Sequence, residues 1–168
     1  MNKRGQVYLI AAIIIITIAA GLITISNYVS SHQTQDIYYL RDEIKIESSR
    51  VMDYAALNSA NFKNTMINFS EQYMNNTRGN NFYFVLGSET SMTFLAYQSF
   101  NATIFLDGAD KTSDVGIGRI YIGNSFDPGA NVTLGINGND YVFKLNVGNN
   151  YGFIISGEKG GQDYIARG

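Results

Sequence analysis

Three hydrophobic textures follow one another along the chain. Val7 to Ile25 is a run of apolar and small residues without a charge, containing Ile13, Ile14, Ile15, Ile16, Ile18 and Leu22, with Thr17 and Thr24 the main polar members. A helix rises about 1.5 Å per residue, and about 20 apolar residues span the hydrocarbon of a bilayer. The pattern therefore predicts a transmembrane or filament-core helix over residues 6–26. Lys3 and Arg4 precede it, and no Lys or Arg follows until Arg41. By the positive-inside tendency this keeps residues 1–5 in the cytoplasm and sends the remainder outward. A cleavable secretory peptide fits less well, because Leu22-Ile23-Thr24-Ile25 carries the apolar run through the small residues Ala19-Ala20-Gly21.

From residue 27 to residue 79 the apolar positions change to a helical period. Ile37, Leu40, Ile44, Val51, Ala55, Phe62, Met66, Phe69 and Tyr73 recur at threes, fours and sevens, with Arg41, Asp42, Glu43, Lys45 and Glu47 mostly between them. Neither Pro nor Gly interrupts residues 26–77. This spacing predicts a long amphipathic helix, continuous with the first or broken near Asn58-Ser59 or Asn61. Beyond residue 80 the period shortens again. Residues 81–87, 91–97, 102–106, 119–122, 131–134, 141–145 and 151–155 are short β-branched or aromatic runs separated by Gly, Asn and Asp. Asn137-Gly138 is a tight-hairpin signal, since both residues tolerate positive φ. The expected class is α+β: a long N-terminal hydrophobic helix continuing into an amphipathic helix, packed on an antiparallel β-sheet or small β-sandwich head over residues 80–168.

Composition narrows the setting. The chain has 168 residues, no Cys, one Pro and a net charge of −2. Without Cys there is neither a disulfide framework nor a thiolate metal site, so an exported head must be held by packing alone. Five Lys/Arg against eight Asp/Glu in residues 81–168 give no reason to expect nucleic acid as a partner. Most of the 22 Tyr and Phe residues belong in a core. Some on loops, such as Tyr151 or Phe126, would suit an adhesive or subunit-contact surface.

Lys3-Arg4-Gly5-Gln6 followed directly by an apolar run resembles the processing site of archaeal type IV pilins and archaellins. The resemblance covers about the first 30 residues and, more loosely, the plan of helix plus β-rich head. It implies a leader of residues 1–5, cut between Gly5 and Gln6 by a prepilin-type peptidase. It also implies a helix, including Ile10, Ile14, Ile18 and Gly21, that anchors the subunit in membrane lipid and then packs with copies of itself or related pilins. An assembly machine would drive that step. Ile10 stands where many bacterial-type pilins carry Glu, which points to the archaeal side of the family. Ala11, Ala12, Ala19, Ala20 and Gly21 permit close helix approach.

Candidate chemistry is sparse. Four sequons, at Asn68, Asn75, Asn101 and Asn131, are candidates for glycosylation outside the membrane. Asp107, Asp110 and Asp114 lie in one loop and form a weak Ca²⁺ candidate, with spacing unlike an EF-hand and Lys111 in their midst. The single His, His32, has no flanking acid before Asp36, so no nucleophile and base pair is visible and no enzyme is expected. No cofactor is expected either. The sequence thus predicts a pilin-like structural subunit of a surface filament, serving adhesion or motility. The alternative is a single-pass anchored surface protein whose extracellular β-domain binds a ligand or partner.

Overall fold

The computed structural model describes residue 16 and residues 37–77, 79–126, 128–159 and 162–168. The chain divides into a unit of residues 1–36 and a second unit of residues 37–168. The elements of the second unit are α1 (residues 37–57), α2 (Phe62–Asn76), β1 (Asn81–Ser88), β2 (Ser91–Tyr97), β3 (Ile104–Leu106), β4 (Ala109–Asp110), β5 (Ile120–Phe126), β6 (Asn131–Ile136), β7 (Asn139–Lys144), β8 (Asn150–Lys159) and β9 (Gln162–Arg167).

The strands form two antiparallel sheets, ordered β5-β2-β1-β8-β9 and β4-β3-β6-β7. The five-stranded sheet is covered on both faces, and this explains why β1 reads as an unbroken apolar run. Side chains alternate across a strand. Phe82, Phe84 and Leu86 therefore point toward the helices, where Ile44, Met66 and Met74 meet them. Tyr83 and Val85 point the other way, into a second cluster with Phe94, Ile104, Val132, Leu134, Ile136 and Ile154. The result is three layers: helices, five-stranded sheet, four-stranded sheet.

Local chemistry sets the joints. Gly87 has φ +135, and a Cβ there would lie 2.2 Å from the Ser91 carbonyl oxygen, so only glycine fits beside the β1–β2 turn. The Asp107-Gly108 and Asn137-Gly138 turns have φ of 49 and 80, and 50 and 81, the mirror-image geometry that matches strand twist. At both turns a side chain replaces a main-chain acceptor. Asp107 N–H donates to Thr133 O, and Thr133 N–H returns the bond to Asp107 Oδ1 at 2.7 Å. Asn137 N–H donates to Thr103 O, and Thr103 N–H donates to Asn137 Oδ1 at 3.0 Å. Each pair extends the β3–β6 ladder by one rung, one at either end. Across the sandwich margin, the Arg167 guanidinium of β9 donates to Val142 O of β7 and lies 5.0 Å from the centroid of the Phe143 ring.

The expected fold class requires correction. Among the described residues there are two short helices and nine strands, so the protein is mostly β, and no long apolar N-terminal helix is among its elements. No helix among the described residues is long and apolar enough to cross a membrane. The amphipathic stretch takes the broken form of the two that its sequence allowed, with the break at Ser59 and Asn61. Ala60 N–H bonds back to Ala55 O with Ser59 at φ 51, a left-handed helix stop. Asn61 then opens α2 by accepting from Asn64 N–H at 3.0 Å. Two further strands add β content that the sequence did not signal. Ala109-Asp110 pairs with β3, and residues 162–167 pair with β8.

Candidate functional site

The processing residues Lys3, Arg4, Gly5 and Gln6, the assembly residues Ile10, Ile14, Ile18 and Gly21, and His32 lie outside the described residues. The remaining candidates all fall on the 37–168 unit, and the structure separates them.

Asn68 is exposed in the middle of α2, but its sequon partner Ser70 is fully buried, with Oγ 3.4 Å from the Tyr151 hydroxyl. Asn75 is exposed in the last turn of α2. Asn101 and Thr103 are both exposed in the segment between β2 and β3. Asn131 is exposed at the first position of β6, opposite Lys144. The β3–β6 pairing puts Asn101 and Asn131 toward opposite ends of the four-stranded sheet.

The three loop aspartates do not converge. Asp107 accepts from Thr133 N–H in its turn. Asp110 accepts from Thr112 N–H at 2.9 Å, and that backbone bond holds its carboxyl below the usual carboxylate value. Asp114 lies 3.4 Å from Lys111 Nζ. Each carboxylate thus has its own local partner, and no group of acidic or His residues suited to a metal ion occurs among the described residues.

The aromatic residues resolve into a layer between helices and sheet. Phe69, Tyr73, Phe82, Phe84, Tyr151 and Phe153 contact one another with ring centroids 5.8 to 6.4 Å apart. Tyr151, expected on a loop, is therefore a packing residue of β8; Phe126 ends β5. Burial raises the Tyr151 phenol above its ordinary value. Burial also raises Tyr73, and the Glu43 carboxylate, hydrogen-bonded to it, and Glu47 add to the effect. These groups line a shallow groove between α1 and α2 with Phe69 and Gln72.

One surface was not singled out from the sequence. The face of α1 turned away from the sheet exposes Tyr39 (71%), Ile46 (54%), Tyr54 (60%) and Leu57 (85%). Other large exposed apolar residues, such as Phe105, Ile117 and Val147, are spread over strands and loops. Isolated exposed apolar residues are ordinary, whereas several on one helix face mark a contact surface. The signal was present in the spacing, as a second line of threes and fours offset from the core stripe. Comparison of the chain with family models, with curated proteins and with solved structures finds no match in any of the three.

Proposed function

We propose that the chain is a structural subunit of a surface filament of the archaeal type IV pilin kind. The observation that carries this reading is the charge-free segment Val7–Ile25 directly behind Lys3-Arg4-Gly5-Gln6. The segment first holds the subunit in membrane lipid, with the 37–168 unit on the outer side. A prepilin-type peptidase cuts after Gly5, and the apolar segment leaves lipid when equivalent segments of neighbouring copies replace it as surroundings. The three-layered unit then decorates the filament for adhesion or motility, with the exposed sequon asparagines available to carry glycans.

The test is the intact mass and N-terminal sequence of protein isolated from its native membrane or surface fraction. A start at Gln6 is the expected result. A start at Met1 would replace the filament subunit with a simple anchored surface protein, and a start near Leu22 would mean secretion; either overturns the proposal.

A further inference from the structure

The outward face of α1 holds a line of five residues, Tyr39, Glu43, Ile46, Arg50 and Tyr54, separated by four, three, four and four positions. Such spacing sets side chains above one another on one face, here over about 22 Å. All five are exposed. We propose that this line is a docking surface for a second copy of the chain, packed antiparallel about a two-fold axis between Ile46 and Glu47.

Charge complementarity selects this occupant and this direction. Read from either end, the line runs aromatic, charged, aliphatic, charged, aromatic, with the charge sign reversed. A two-fold axis midway along it, between residues 46 and 47, sets Glu43 level with Arg50 and Tyr39 level with Tyr54, each unlike pair made twice as a self-complementary interface requires, and leaves the two Ile46 side chains about 1.5 Å apart along the helix direction. A parallel copy in register would instead oppose Glu43 to Glu43 and Arg50 to Arg50. A parallel copy shifted by seven residues would restore one Glu43–Arg50 pair, but it would set Ile46 beside Asp53 and Arg50 beside Leu57. Of the three, only the antiparallel arrangement sets both charge pairs and both aromatic ends against each other.

The rearrangement is small. Arg50 is paired within its own helix to Glu47 at 3.1 Å, and such exposed pairs contribute little. Exchanging Glu47 for Glu43 of the second copy therefore meets little resistance at Arg50; Glu43, hydrogen-bonded to the Tyr73 side chain, meets Arg50 with the remaining acceptor capacity of its carboxylate, while the aromatic and aliphatic positions lose water contact. One helix pair is a small contact, so a single pairing is weak and a row of pairings is strong. This pairing does not rest on the filament reading and stands or falls separately from it.

The chain contains no Cys, so single cysteines report proximity without background. In the full chain purified in detergent, Ile46→Cys is expected to form a disulfide-linked dimer on mild oxidation. Tyr39→Cys alone should not, but an equimolar mixture of Tyr39→Cys with Tyr54→Cys should. Self-linking of Tyr39→Cys as strongly as Ile46→Cys would mean parallel packing and overturn the proposal, as would the absence of any linked species. Glu43→Arg should weaken dimer formation in sedimentation by about tenfold, and Glu43→Arg with Arg50→Glu should restore it. Failure of the double variant to recover would also overturn it.

Discussion

The two faces of the five-stranded sheet solve the same problem with different side chains. Toward the helices it presents rings, with Phe82, Phe84, Tyr151 and Phe153 meeting Phe69 and Tyr73. Toward the second sheet it presents fewer rings, Tyr83, Phe94 and the partly buried Tyr121, and meets mostly aliphatic residues, Ile104, Val132, Leu134 and Ile136, with Phe143. The difference follows from what else holds each layer. The second sheet is tied in at its margins, through Arg167 to Val142 O and Gln98 Nε2 to Ala102 O. The helices satisfy their backbone groups internally, so they attach through side chains, with Ser70 meeting Tyr151 and Lys63 donating to Asn124. Large rings bury about 150–250 Å² each and favour offset or edge contacts, which suits a layer held by side chains.

Deleting one ring is the strongest way to test this contrast. Phe84→Ala should cost about 3–5 kcal/mol, since Phe84 is fully buried and touches three other rings. Urea unfolding of the full chain, followed by tyrosine near-ultraviolet dichroism, measures it. In the aliphatic layer Leu134→Ala, also fully buried, should cost about 2–4 kcal/mol by the same assay. A larger cost for Leu134→Ala than for Phe84→Ala would reverse the ranking of the two layers.

Alkaline titration sharpens the contrast without mutation. Tyr73 and Tyr151 both have folded pKa values raised above the ordinary 10.0. Folding thus favours their protonated forms, so their contribution is full below pH 10 and is lost as the pH climbs above it. Stability should therefore hold on approaching pH 10 and then fall, and Tyr151→Phe should reduce the fall.

Two smaller effects concern the joint between the helices. Asn61→Ala removes the cap of α2 and should cost about 1 kcal/mol. Ser59→Gly should stabilise by up to about 1 kcal/mol, because Ser59 occupies a left-handed conformation that glycine adopts freely. Thermal unfolding midpoints of the two variants, moving in opposite directions, would check both.

Much of the β region was legible because its runs are short, β-branched or aromatic, and punctuated by Asn-Gly and Asp-Gly. Within the helical stretch, the stripe from Ile37 to Tyr73 contains the residues that meet the sheet. The break between helices was legible as the polar cluster Asn58-Ser59 and Asn61, although Ser59 is an unusual residue for a left-handed stop, where glycine is the common signal. The last strand was hidden by Gly157 and Gly160-Gly161, since glycines weaken a strand signal; Gly157 lies within β8, opposite Tyr164. The double covering of β1 was not legible, because an unbroken apolar run does not say what lies on either side. The loop aspartates were legible as one loop but not in detail, since proximity in sequence does not foretell that each finds a partner of its own.

The paired turns at Asp107 and Asn137 bear on how the molecule ages. Asn-Gly is the dipeptide most prone to lose ammonia, through attack of the following amide nitrogen on the side-chain carbonyl. Simple hydrolysis of the resulting ring leaves Asp at 137, and Asp107 already performs the equivalent task with a carboxylate oxygen. Opening the ring the other way routes the main chain through an extra methylene and removes the acceptor of Thr103 N–H. The four-stranded sheet is therefore built to survive one product of slow chemical wear at this turn, while the other unfastens the end rung of β3 and β6.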